Sequence, residues 1–523
     1  MDWLLGWSKV EKIESGGRYP LGLNRFHSGM DDILIKSITE QANRLRYITY
    51  YCWVIGDIYK NTTNLTYVEF VKKFHLLENA LTVGLYLYQP DAPFYGKDNI
   101  NVKTSKDKTE CNLDFQLMHS NLLGGFGLYY VGPMQNLGLI EINNNGIYSL
   151  TKKGEELYRI YESYLLAHKT KYYESYISKD IVPTDVLLEW GRINDLDNIA
   201  EDECEDERSI YKYLQFRMDK KETSDFRRQS LCLFLEAINQ SQRNNAKFTE
   251  TTLKNIHYYQ MYFDRDNKVV KFDVPEFLKE AIFYWNIYEG HGYFRGWMEK
   301  YLQIFLEFLK ANDDGVSFDD FFDSLNLNEI NTHLSSFIGE QIDFLNSPLD
   351  ELKSIYKGVT AIDSVLSEES LLPKDKSETI TMLLSKFTLT IMAIIVRYES
   401  VRVDKRYLFI QDRRMGDLWF DKFYYIPNIR KMTVLNFLKM CLKEYVIQQH
   451  DVIMYEKRDL RKCWFTTENG KYFFQADASP IWRPAKFRTI MNFLQDMKLI
   501  ETQNDSYVLT KEGSNLYTEF KDK

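Results

Sequence analysis

One pattern of residues is written twice in this chain, and it limits the fold more than any other feature. In the first copy Leu139-Ile140-Glu141 leads through Asn143-Asn144-Asn145-Gly146 to Tyr148-Ser149-Leu150-Thr151-Lys152-Lys153-Gly154 and closes on Leu157-Tyr158. In the second, Leu499-Ile500-Glu501 leads through Gln503-Asn504-Asp505 to Tyr507-Val508-Leu509-Thr510-Lys511-Glu512-Gly513 and closes on Leu516-Tyr517. The copies differ in length only in the connecting turn. Each predicts a helix running into a short strand, a polar reversal, a second strand and a final helix. Asn145-Gly146 is a strong hairpin signal. Thr151 and Thr510 each suit the N-cap of the last helix, where a side-chain oxygen accepts from the free N–H groups. Glu155 complements the positive end of the first of these helices.

Helix, hairpin, helix is the back half of a winged helix. The expected fold class is therefore mainly α with small β-wings (α+β), a helical body framed by two winged-helix units. Winged helices read DNA and also dock onto proteins, and the pattern alone does not choose. At 523 residues the chain has room for about three domains. With 44% hydrophobic and 15% aromatic residues it is globular rather than disordered. A net charge of −9 argues against a wholesale nucleic-acid coat, so any phosphate contact must come from local basic patches. The six cysteines form no Cys-x-x-Cys pair, which fits reduced thiols in a cytoplasmic protein. The N-terminus lacks a signal-like apolar run. The window from Phe387 to Val396, too short to cross a bilayer, reads as a buried core helix, so no membrane is expected.

In order, the chain divides into an N-terminal helical domain (1–109), a first winged unit (110–190), a central helical domain (191–430) and a C-terminal winged domain (431–523). Leu34, Ile38, Ala42, Leu45, Ile48, Cys52, Ile55 and Tyr59 recur at helical spacing over 31–60, with Asn43 as a candidate break. Tyr47, Tyr50, Tyr51 and Trp53 widen that apolar face, which calls for packing on more than one side. The acidic run 195–207 reads as a solvated boundary, with a contact to a basic partner as the alternative. Further helices are expected near 249–263, 276–289, 328–345, 349–367 and 377–398, with strand-like aromatic pieces around 407–410 and 423–426.

No catalytic machinery assembles from the sequence. The eight histidines show no metal-ligand spacing, and no phosphate-cradling or nucleophile-elbow motif is present. Gly124-Gly125-Phe126-Gly127 reads as the turn before a recognition helix, and His291 to Trp297 as a packed turn. Asp451 with Glu456-Lys457 is a charged helix end rather than a nuclease site. No enzyme activity, metal or cofactor is expected. A phosphate-facing surface is the remaining possibility. In the second unit Arg483, Lys486, Arg488 and Asn492 fall on or before the recognition helix, and Arg458, Arg461 and Lys462 add charge nearby. The recognition helix of the first unit carries Tyr129 and Tyr130 and almost no charge, which suits protein docking.

Leu21-Gly22-Leu23-Asn24, followed by Arg44-Leu45-Arg46-Tyr47-Ile48-Thr49-Tyr50-Tyr51-Cys52-Trp53, resembles the opening of the kleisin-like accessory subunits of SMC-type, Lamassu-class bacterial antiphage defence systems. The resemblance covers about the first 60 residues. It implies a non-catalytic scaffold that binds an SMC-type ATPase and helps it engage double-stranded DNA, with the nuclease supplied by a separate effector subunit. Leu45, Tyr47, Tyr51 and Trp53, together with Tyr129 and Tyr130, are then the expected partner-binding residues. A stand-alone winged-helix DNA-binding regulator is the competing expectation.

Overall fold

The computed structural model describes residues 19–521 apart from positions 41, 43, 93, 104–108, 119–120, 178, 218–221, 353–360, 375–376, 400, 402–403, 408–428, 458–462 and 483–485. The strand-like pieces expected at 407–410 and 423–426 therefore fall almost wholly outside the described residues. The fold is mainly helical, and the strands described form five separate two-stranded antiparallel sheets. The chain separates into two compact units that do not follow its linear order. One comprises 31–250, 275–281 and 485–523, and the other 1–30, 251–274 and 282–484. The C-terminal segment expected to form one domain from 431 is thus divided near 484.

Both copies of the repeat lie in the first of these, called here the repeat unit. Its helices include α1 (Leu45–Lys60), α2 (Tyr67–Tyr88), α3 (Val131–Asn136), α4 (Lys152–His168), α5 (Glu205–Lys212), α6 (Glu222–Arg243), α7 (Lys486–Asp496) and α8 (Lys511–Lys521). Its hairpins are β1 (Ile140–Ile142) with β2 (Tyr148–Leu150), and β3 (Ile500–Gln503) with β4 (Ser506–Leu509). The helical stretch expected over 31–60, with Asn43 as a candidate break, is divided: one helix ends at Leu34 and α1 starts at Leu45.

The two copies match bond for bond. Leu139 N–H donates to the Met134 carbonyl at 2.9 Å, and Leu499 N–H to that of Leu494 at 2.9 Å. Gly138 (φ 66°) and Lys498 (φ 56°) both turn left-handed to end the first helix. Thr151 Oγ1 donates to the Gly138 carbonyl at 2.6 Å, and Thr510 Oγ1 to that of Lys498 at 2.6 Å. The same hydroxyls cap α4 and α8, accepting from Gly154 N–H at 3.3 Å and Gly513 N–H at 3.0 Å. Glycine is required at both positions because a Cβ there would enter the backbone of Leu139 or Leu499. The turns carry the difference: Asn504 (φ 48°) and Asp505 (φ 57°) make a two-residue left-handed turn, and the first copy has one residue more.

A helix from far upstream completes each copy. The first packs on α1, where the Tyr158 ring lies against Gly56. The second packs on α6, through Gln242 Oε1 accepting from Leu509 N–H at 3.1 Å and through Tyr517 beside Glu236. The core of the unit is α1, in which every side chain from Leu45 to Ile55 is buried. Helix α2 begins in a Thr66–Glu69 capping box, and its Gly84 touches Gly191 backbone to backbone.

Lys279–Lys310 is one 32-residue helix, its residues from Ile282 on in the other unit, so the turn expected at His291 to Trp297 is helical instead. Of the glycines in that stretch Gly296 serves close packing, lying under the Trp482 ring, as does Gly290 just before it, under the Tyr398 hydroxyl. Residues 249–263 form a helix only to Tyr259 and then a strand, Met261–Phe263, and the helix expected over 328–345 stops at Ile338 before the left-handed Gly339. The helix expected near 377–398 runs from Ile380 to Tyr398; it is long and apolar enough to cross a membrane, but 72% of its apolar window is buried inside the protein. It is a core helix, and its Lys386 is paired with Glu378 at 2.5 Å.

Candidate partner and nucleic-acid surfaces

The residues expected to bind a partner from α1 are committed to the core of the repeat unit. Leu45, Tyr51 and Trp53 are 0% exposed and Tyr47 is 2% exposed. Tyr47 and Tyr51 pack on Tyr130, also 0% exposed, and Trp53 packs on Trp190. Of the six residues only Tyr129, half-buried, is open to a partner. The physical reason is the width of the apolar face: a helix that is apolar all round must be covered on all sides, and here the same chain supplies the cover.

The arginines beside that helix explain the acidic run. Arg46 is buried over the Tyr161 and Tyr164 rings, at 4.7 and 4.3 Å, and pairs with Glu207, itself 1% exposed. Thr49 completes the site by donating to the same carboxylate. Arg44 binds Asp496 through Nε and Nη2 at 3.1 and 2.9 Å, and Asp197 at 2.6 Å. Burial opposes the charge on both arginines, yet their carboxylate partners carry their pKa above the usual value. Asp496 Oδ2 also accepts from Leu45 N–H at 2.9 Å, which makes α7 the N-terminal cap of α1. The acidic run is therefore only partly solvated: Glu207 and Asp197 anchor α1, while Asp202 is fully exposed and meets Lys498 at 2.8 Å.

Glu78 of α2 is a second buried acid. Its Oε1 accepts from the Tyr51 hydroxyl at 2.9 Å, the Tyr95 hydroxyl at 3.0 Å and Phe126 N–H at 3.0 Å. That bond holds the start of a π-helical turn, Phe126–Tyr130, which runs into α3. Burial pushes the carboxyl up to about 7, against the bonds from Phe126, Tyr51 and Tyr95. An unfolded glutamate titrates near 4.5, so between 4.5 and 7 the folded chain holds the extra proton. Stability should fall as the pH rises through that window. Glu78→Gln should remove the effect: relative to the variant, the wild type is expected to lose on the order of 3 kcal/mol across it, read by urea unfolding at a series of pH values.

Three of the residues expected to bind DNA are described, and they differ in exposure. Along α7 only Arg488 is exposed. Lys486, expected to face solvent, pairs with Asp31 at 3.3 Å and is mostly buried, and Asn492 is half-buried. Phe487 packs between Phe248 and Tyr507, and the far end of the helix is fixed by Arg44. Arg458, Arg461, Lys462 and Arg483 lie outside the described residues. In the first copy Lys152 and Lys153 sit with Arg159, Asp206 and Tyr213 around a cleft of about 800 Å³ between α4 and α5, where both signs of charge meet. Among the described residues no group of three or more His, Cys, Asp or Glu side chains is placed to hold a metal ion.

No protein-family model matches this chain, and neither a curated protein nor a solved structure does. Sequence reasoning missed Asp496, Glu207 and Glu78. The available signal was Arg44 and Arg46 flanking an otherwise apolar helix, since buried guanidinium groups require buried carboxylates.

Proposed function

We propose that this chain is a non-catalytic, kleisin-like scaffold subunit, built from two winged-helix-type modules, that binds an SMC-type ATPase in a bacterial DNA-directed defence complex. The observation that carries the choice of scaffold over stand-alone DNA reader is α7. A reading helix must present a face of several side chains to the major groove, whereas along α7 only Arg488 is fully exposed, Asn492 and Gln495 are half-buried and Lys486 is held by Asp31. The link to an SMC-type ATPase rests on the resemblance at residues 21–24 and 44–53. The cytoplasm is the matching compartment, and the nuclease activity belongs to a separate effector.

The test is co-expression of the tagged chain with an SMC-type ATPase encoded beside its gene. A stoichiometric complex that survives gel filtration is the expected result. Lys486→Ala with Arg488→Ala should leave duplex-DNA retention by the isolated chain unchanged. A chain that stays monomeric beside the ATPase, yet binds duplex in a salt-dependent way abolished by those substitutions, would establish the regulator instead.

A further inference from the structure

The two copies are equivalent in backbone but not in cover, and the covered one shows what the bare one is shaped to receive. In the second copy the C-terminal end of α7 is buried: Asp496 is 3% exposed and caps the N-terminus of α1, accepting from Leu45 N–H at 2.9 Å. The turn Leu196–Ala200 closes the same end of α7. The position matching Asp496 in the first copy is Asn136, by the shared bonds that fix Leu137 and Met497 to the carbonyls of Pro133 and Phe493 at 2.9 and 3.1 Å. Asn136 is exposed, and its side chain makes no hydrogen bond among the described residues. Gln135 beside it is exposed as well.

A neighbouring difference points the same way. In the second copy Gln495 Nε2 donates to Thr502 Oγ1 at 3.1 Å, so the helix end and the first strand adjoin there. The matching pair is Gln135 and Ile142, and Ile142 is 53% exposed. Where the second copy has a polar residue, the first offers an apolar one to solvent, next to an unused capping side chain.

We propose that Gln135, Asn136 and Ile142 form a docking surface for the N-terminus of a helix in the partner protein, with Asn136 capping that helix and Ile142 packing on its first turn. Asparagine is among the strongest capping residues, and its Oδ1 can accept an orphan N–H as Asp496 does within the chain. Because the residue is neutral, the occupant needs no arginine of the Arg44 kind; an apolar first turn suffices. The inference rests on the scaffold reading, since it presumes a stable protein partner.

The test uses the full chain co-expressed with the SMC-type ATPase, comparing wild type with Ile142→Asp and Asn136→Ala, and with a photo-crosslinking amino acid at position 135. Both substitutions alter exposed side chains, so the thermal midpoint of the isolated chain should not move. The expected result is at least a tenfold loss of recovered ATPase for Ile142→Asp, a smaller loss for Asn136→Ala, and a crosslink from 135 mapping to the first turn of a helix in the ATPase. Undiminished recovery with both variants, or a crosslink to a helix flank or a loop, overturns the docking surface while the scaffold reading stands. If wild type recovers no ATPase, the scaffold reading fails and this inference falls with it.

Discussion

Arg46→Met is expected to destabilise the repeat unit by about 3–5 kcal/mol, measured by urea unfolding of the purified chain. The substitution keeps an apolar stem but leaves the buried Glu207 carboxyl without its cation, with the Thr49 hydroxyl as its one remaining side-chain hydrogen-bond partner among the described residues. It also removes the cation from above the Tyr161 and Tyr164 rings, joining loss of packing to loss of charge pairing. The desolvation of two charges offsets much of what a buried pair contributes, so removing both partners should cost far less than removing one. Arg46→Met with Glu207→Leu is accordingly expected to recover most of the lost stability. A double variant as unstable as the single one would show that the pair acts through shape alone.

The second large effect concerns the duplicated junction. Alanine in place of Gly154 or Gly513 normally favours a helix by up to about 1 kcal/mol. Here the new Cβ would fall closer than 3.0 Å to a backbone carbonyl oxygen, of Leu139 in one copy and Leu499 in the other. Backbone cannot move aside as a flexible side chain does, so each substitution should instead destabilise by about 1–3 kcal/mol or more. Equivalent junctions should also respond alike. A stabilising effect at either site, or a loss at one copy and none at the other, would contradict the bond-for-bond match.

That junction was legible in the sequence because its determinants are local. A threonine cap, a polar reversal and a glycine three residues into the helix all act within a few positions, and the strands pair with their own neighbours. The core character of Ile380–Tyr398 was legible as well, from its apolar run. What failed depended on distant residues. Lys486 reads as solvent-facing by helical period, but Asp31 covers it. The stretch from His291 to Trp297 reads as a turn, whereas it sits inside a helix, with Gly296 there so that Trp482 can approach. Periodicity identifies an apolar face and cannot say whether its cover belongs to the same chain or to another; α1 turned out to be covered by its own. The division near 484 was invisible because the helices that complete the two copies, α1 and α6, are separated from them by long stretches of chain.

The central claim, a scaffold made for an SMC-type ATPase, is tested most directly by purifying the tagged full chain from its native host under mild salt and identifying what elutes with it by mass spectrometry and light scattering. The scaffold account predicts a complex holding an SMC-type ATPase in fixed ratio to this chain. A chain that elutes alone at the mass of a monomer, with that ATPase present in the same extract, would contradict it.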